Sequence, residues 1–502
     1  MSYDRQILTE DCPLTKDKSS QFKLSTCCGG GLKIIVSSFI VLTIAVTAAL
    51  IFQLLYSTNI SQSIAGVNGA VATDYTNCSQ IGTTILRKGG NAVDAAVAAT
   101  LCMAVVAPEK TGLGGGGYMM IYNHRDQTDP LIIDFANNTI SDLFAARSIR
   151  IPALLRGLEF AQTSWGNLPW YKVVKPLADL ARNGFVVSKE FAYEISKNTE
   201  YANLYGNINP GEILLLPTLA ETLDAVAEFG ADVFYNGTVV KKFLQDALLS
   251  EYSLQELALY KPEVTVARKT NFYGYTIYYP LRALPLEQTL QALENLKIME
   301  QNSSYLNSQI LVAQSLVSSN FKYSKVDPNA ESQRYASVVA MDWQDKYVSV
   351  VTGLSAPLGL ARLSPAGFLL DGTVAGNTLA SFAPVAFRDT LSICGLRGVF
   401  GSDDPTVIGE LLSNLLILGM NASTAVEYPR YYLRYDNIAV ESDERHSVDT
   451  MLQIHLDTIA NLPKTDASLI SKSVNVITKH KDSVTSHSDS RGGALASRYK
   501  RI

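Results

Sequence analysis

The sequence predicts one large α+β domain with a single membrane-spanning helix ahead of it. Three observations carry that expectation. Residues 34 to 55 read IIVSSFIVLTIAVTAALIFQLL, with no charged side chain, which at helical rise matches the ~30 Å hydrocarbon core of a bilayer. Beyond them, small-residue segments of helical period are interspersed with runs dense in Tyr, Thr and Val. From residue 57 onward no long low-complexity linker and no repeat of solenoid period divides the chain.

The apolar run is too long, and begins too late, for a cleaved signal peptide. The polar tail before it, residues 1–33, carries Arg5, Lys16, Lys18, Lys23 and Lys33, and no Lys or Arg follows the run until Arg87. The positive-inside rule therefore places the amino terminus in the cytoplasm. A buried core helix is the bland alternative, and the basic flank disfavours it. The expected layout is a cytoplasmic tail (1–33), a transmembrane anchor (34–55) and an ectodomain (56–502). That is a single-pass type II membrane protein, its ectodomain extracellular or lumenal, at the plasma membrane or along the secretory pathway.

A net charge of −5 and a pI near 5.7 leave no basic footprint for nucleic acid. Cys27 and Cys28 precede the anchor, as palmitoylation sites or as idle thiols. Cys78 and Cys102 are disulfide candidates in an oxidising lumen, and Cys394 is left over as a small buried hydrophobe. Asn-x-Ser/Thr sequons follow at Asn59, Asn77, Asn137, Asn236, Asn302 and Asn421, consistent with the secretory route. The five histidines show no His-x-x-x-His pairing, and there is no Cys-x-x-Cys; neither metal nor cofactor is expected, and the histidines read as scattered surface residues.

Along the ectodomain, Gly69 to Thr73 reads as a short buried strand. Ile81, Ile85, Val93, Ala96 and Ala99 mark two helices broken at Gly89-Gly90, the second starting at a cap near Asn91. The glycine run Gly112 to Gly117 lacks the Lys-Ser/Thr of a phosphate loop and precedes a strand, Tyr118 to Tyr122, so it reads as close backbone packing. Trp165 to Trp170 is a turn between helices, the second running to Gly184, and Leu219 to Phe229 is another helix. Residues 264–280 read as strands, and 335–352 as two strands around Trp343-Gln344-Asp345. The last hundred residues mix helices with short strands and end in a charged tail, 479–502, in which Lys479 to Asp482 reads as a solvated cluster.

In order along the chain stand Gly69-Ala70-Val71-Ala72, Cys78-Ser79-Gln80-Ile81-Gly82, Gly90-Asn91-Ala92-Val93-Asp94-Ala95-Ala96, Gly112-Leu113-Gly114-Gly115-Gly116, Gly166-Asn167-Leu168-Pro169-Trp170, Phe234-Tyr235-Asn236-Gly237, Ala425-Val426-Glu427-Tyr428-Pro429-Arg430 and Asp489-Ser490-Arg491-Gly492-Gly493. Their order and spacing make the ectodomain resemble the γ-glutamyltransferases (glutathione hydrolases). The resemblance implies an αββα sandwich of the N-terminal-nucleophile hydrolase type, a Cys78–Cys102 disulfide, and a division into large-subunit-like (56–332) and small-subunit-like (333–502) parts.

In that family the precursor cuts itself before a threonine, whose hydroxyl then attacks a γ-glutamyl amide with its own amine as base. The matching stretch here is Gln333-Arg334-Tyr335-Ala336-Ser337-Val338-Val339, so Gln333 stands at the nucleophile position. An amide can neither attack a carbonyl usefully nor drive the acyl shift of self-cleavage. Ser332, one residue out of register, could serve only across a bulge. The glycine donors of the oxyanion hole are replaced by Gly401-Ser402-Asp403-Asp404-Pro405-Thr406, in which Pro405 has no N–H and Asp404 would bring a negative charge. Asn137 replaces the arginine for the substrate carboxylate. Ser355 stands where an asparagine is expected, Leu370 to Gly376 replaces the acidic stretch, and Ser381 is the one hydroxyl kept among the ligands.

The sequence therefore points to a membrane-anchored, γ-glutamyltransferase-like pseudoenzyme acting through binding or association. An active γ-glutamyl transferase or hydrolase of glutathione catabolism, with a rearranged nucleophile, is the alternative. Glutathione or another γ-glutamyl compound is the ligand class implied if the pocket persists. The sequence names no protein partner.

Overall fold

The computed structural model describes residues 36–51, 69–136, 149–237, 251–296, 305–320, 335–372, 382–433, 438–442, 447–460, 464–466 and 472–500, with the isolated residues 239, 241 and 445. The chain divides into two units, Met1–Ala65 and Gly66–Ile502. In the first, residues 36–51 form a helix with exposed side chains. Among the described residues no helix is long and apolar enough to cross a membrane. Residues 34, 35 and 52 to 55, the ends of the predicted span, lie outside the described residues.

The second unit is built on two antiparallel sheets. The strands of both, in chain order, are β1 (Gly69–Ala72), β2 (Gly116–Asn123), β3 (Leu131–Asp134), β4 (Glu263–Val266), β5 (Arg268–Phe272), β6 (Tyr275–Tyr279), β7 (Tyr335–Met341), β8 (Lys346–Gly353), β9 (Ala383–Asp389), β10 (Arg397–Ser402), β11 (Val476–His480), β12 (Ser483–His487) and β13 (Ser497–Tyr499). The seven-stranded sheet runs β13-β1-β7-β8-β2-β3-β4 and the six-stranded sheet β12-β11-β10-β9-β6-β5. The chain crosses from one sheet to the other at Ala267, between β4 and β5.

Three cores give four layers. On one face of the first sheet, Ala336, Val338, Ala340, Val348 and Val350 meet the helices α1 (Thr76–Arg87), α2 (Ala92–Val106), α3 (Leu154–Trp165), α4 (Trp170–Asn183) and α5 (Pro217–Phe229). Its other face, with Tyr335, Val339, Met341, Tyr347 and Val351, packs on Tyr278, Ala386, Val399 and Ile477 of the second sheet. The outer face of that sheet, with Ile277, Val385, Phe387 and Phe400, meets α6 (Leu284–Asn295), α7 (Tyr305–Asn320) and α8 (Pro405–Leu412). The αββα sandwich that the resemblance implied is the observed arrangement. β7 and β8 are buried on both faces and mainly apolar, and the polar residues within them, Ser337, Ser349 and Thr352, are buried as well.

The expected helix pair is present. Asn91 caps α2 by accepting from Val93 N (2.9 Å) and Asp94 N (3.1 Å), while Asp94 accepts from Asn91 N (3.0 Å). Cys78 and Cys102 form a disulfide that joins α1 to α2, with Cα atoms 5.4 Å apart. The turn Gly166 to Trp170 is held by the same Asp94, which accepts from Asn167 N (2.9 Å), Leu168 N (3.2 Å) and Gln162 Nε2 (3.1 Å). The glycine run is a close backbone passage: a Cβ on Gly114 would lie 2.0 Å from the Leu369 carbonyl oxygen, and one on Gly117 2.3 Å from that of Val351.

Three expectations need correction. The stretch 479–502 is not a charged tail, since it supplies the end of β11, all of β12 and the edge strand β13. Within it, Lys479 pairs with Asp345 at 3.3 Å. Cys394 is exposed on the β9–β10 hairpin. His124 is buried rather than superficial, bonded to Tyr122 Oη (2.7 Å) and the Ile393 carbonyl (2.7 Å), because it closes the turn after β2 against that hairpin.

Candidate active site

β7 begins, among the described residues, at Tyr335, whose ring enters the space between the sheets. Its hydroxyl donates toward Ser402 Oγ (3.0 Å) at the end of β10 and the Ser473 carbonyl (2.9 Å) ahead of β11. Burial, with Asp403 close by, raises the phenol well above its ordinary range, so it stays neutral and hydrogen-bonded.

The turn that follows Ser402 is closed on itself. Asp404 N donates to Ser402 Oγ (3.1 Å), and Asp404 caps α8 by accepting from Thr406 N (2.9 Å) and Thr406 Oγ1 (2.6 Å). Pro405 occupies the first turn, where a missing N–H costs nothing. Lys472 lies 3.1 Å from Asp403 Oδ1 and 3.5 Å from Asp404 Oδ2. Asp404 is therefore not the bare charge its position suggested. Burial works against its ionised form, but Lys472 and Thr406 outweigh it and hold the carboxyl below its usual range. Asp403 behaves oppositely: burial dominates, Asp404 adds repulsion, and Lys472 compensates only in part, leaving it at about 6.

Beneath the strand head lies a second polar group. Asn475 Nδ2 donates to the Ser337 carbonyl (2.8 Å) and to Asp74 Oδ1 (2.5 Å), and Asp74 pairs with Lys110 at 3.2 Å. Lys110 also meets Glu190 at 2.8 Å. Burial opposes the ammonium, but Asp74 and Glu190 prevail and keep it protonated. Ser337 Oγ is buried without a hydrogen-bond partner among the described residues.

A third group joins Ser355 and Asp371, both in stretches singled out from sequence, to Arg150, which was not foreseen. Arg150 Nε approaches Asp371 Oδ2 at 3.8 Å, and its Nη1 donates to the Ala136 carbonyl (3.3 Å). Asp371 Oδ1 accepts from Ser355 N (2.9 Å) and from Ser355 Oγ. The available signal was an arginine set between Ile149 and Ile151-Pro152, where an unpaired charge would be costly.

A family model described as gamma-glutamyltranspeptidase matches residues 78–317. Over that stretch the chain is similar to gamma-glutamyltranspeptidases and glutathione hydrolases. It is 34% identical to glutathione hydrolase 3 of Arabidopsis thaliana over 244 residues, which is 44% of this chain and 38% of that protein. With glutathione hydrolase 2 of Arabidopsis thaliana, identity is 36% and the share of that protein covered is 42%. The chain thus spans about two-fifths of the length of these two relatives. A longer match, 26% identical, covers 86% of the chain and 80% of glutathione hydrolase 7 of Mus musculus. Among solved structures, cephalosporin acylase from Bacillus halodurans superimposes with a TM-score of 0.67 at 15% identity, over 87% of this chain and 96% of that one. That likeness concerns the fold alone.

The positions singled out from sequence divide in two. Ser355 and Asp404 are described, both engaged with neighbouring groups of the fold. Gln333, Ser332, Asn137, Ser381 and Asn302 lie outside the described residues. Of the sequons, Asn77, Asn236 and Asn421 are exposed, and Asn421 uses its Oδ1 to accept from Thr424 N (2.9 Å). Among the described residues no three His, Cys, Asp or Glu side chains are grouped to hold a metal ion. An apolar cleft lined by Leu113, Leu216, Leu219, Phe368 and Leu369, with Tyr205, lies beside the glycine run.

Proposed function

We propose that this protein is a type II membrane-anchored member of the family that no longer turns over γ-glutamyl compounds and acts by binding or association. The observation that carries the reading is the closed turn after β10. An oxyanion hole needs backbone N–H groups aimed into the site. Here Asp404 N is held by Ser402, Thr406 N by Asp404, and Pro405 has none. Losing a single donor of this kind typically lowers the rate about 10²–10³-fold. Gln333 at the nucleophile position compounds that loss. The exposed sequons Asn77, Asn236 and Asn421 and the Cys78–Cys102 disulfide support an ectodomain in an oxidising, glycosylating lumen.

The test uses purified ectodomain with a γ-glutamyl anilide. The expected result is an intact chain on a denaturing gel and no aniline release beyond that of the Ser332→Ala variant. Two fragments, with a new amino terminus at Ser332 or Gln333, together with turnover that Ser332→Ala abolishes, would instead establish the rearranged enzyme. Glutathione is the first ligand to titrate calorimetrically.

A further inference from the structure

At the turn between β10 and α8, two consecutive carboxylates share one ammonium. Lys472 is 3.1 Å from Asp403 and 3.5 Å from Asp404, and all three side chains are largely buried. Two carboxylates against one lysine leave one excess negative charge in a poorly solvated place, and such a pair resists full ionisation. We propose that Asp403, Asp404 and Lys472 form a proton-linked clamp, which takes up one proton as the surroundings acidify and holds the head of β7 more firmly in acid than at neutral pH.

The groups that face Asp403 set the sign. Asp404 at the head of α8 repels it, and Lys472, leading into β11, attracts it. Tyr335 of β7 is neutral and senses Asp403, with Asp74 after β1 and Arg430 also acting on that phenol. Asp404 is committed as the cap of α8, so the proton goes to Asp403. Its folded value, about 6, stands above the ordinary 3.8. The stabilisation is therefore present in acid and is lost as pH rises through about 6. The mechanical consequence follows from Ser402 and Ser473, neighbours of Asp403 and Lys472, which hold the Tyr335 hydroxyl.

Thermal unfolding of the ectodomain at about pH 7.5 and about pH 5.5 tests the clamp through linkage. Because buried Glu410, pushed up to about 8, adds its own acid gain, the reading is the difference between wild type and variants. Wild type should gain about one degree more on acidification than Asp403→Asn, which mimics the protonated state and should melt higher at neutral pH. Asp404→Asn keeps the cap and leaves Asp403 paired with Lys472 alone, so it should flatten the difference as well. If Asp403→Asn fails to fold, Asp404→Asn decides. An acid gain equal to wild type in whichever variant is read overturns the proposal.

Discussion

Asp94 shows how one side chain can explain a sequence motif. Its two oxygens accept from Asn91 N, Asn167 N, Leu168 N and Gln162 Nε2, so a helix cap and a turn some seventy residues later depend on one carboxylate. Each hydrogen bond to a charged group contributes about 1.5–3 kcal/mol, and their partners would be left buried. Asp94→Ala is expected to destabilise the ectodomain by about 2–4 kcal/mol in urea unfolding, whereas a surface change such as Glu221→Ala should cost under about 0.5 kcal/mol. Tyr335 is the contrasting residue. Its place two positions after Gln333 was legible, but its hydroxyl partners Ser402 and Ser473 are distant in sequence and carry no local signal.

At the scale of elements, the helices were the most legible part. The Asn91 cap, the stop before Gly89 and the stop at Gly184 all rest on short-range chemistry, and φ of +92° at Gly89 and +90° at Gly184 needs glycine. The carboxy-terminal strands were not legible as sheet. Val476-Ile477-Thr478 and Ser483 to His487 are short and interrupted by charge, and they pair only because β10 offers an edge. The disulfide joins α1 to α2 across a separation of 24 residues, constraining the unfolded chain. Replacing Cys78 and Cys102 together by Ala should lower unfolding free energy by about 2–5 kcal/mol. Denaturation of the double variant beside the oxidised wild type measures it.

At the scale of the Gly66–Ile502 unit, polar groups tie the two sheets together at both ends of β7. One end is Tyr335 with Ser402. The other is Asp345, after β7, which binds Arg397 of β10 at 2.7 Å and Lys479 of β11 at 3.3 Å. Burial would raise the Asp345 carboxyl, but Arg397 and Tyr347 overcome it and hold it below its usual range. Its contribution is therefore present above the ordinary carboxylate range and fades as pH falls through the lowered folded value. Arg397→Met leaves Asp345 with Lys479 and the Tyr347 hydroxyl only and should cost about 3 kcal/mol at neutral pH, with a smaller penalty in strong acid. Chemical denaturation of both proteins across pH reads the difference.

The sequence by itself determined the helix boundaries, the glycine passage and the run of motifs that carries the resemblance. All of these are local, expressed in a few consecutive side chains. Only the tertiary structure decided what surrounds Asp404, Tyr335 and Arg150. Asp404 looked like an intrusive charge until Lys472 was brought beside it by the pairing of β11 with β10. Arg150 acquired a role only when Asp371 met it across the chain. Charge compensation and hydrogen bonding act over a few ångströms in space, whatever the separation in sequence, so the state of such groups is fixed only once the sheets have closed.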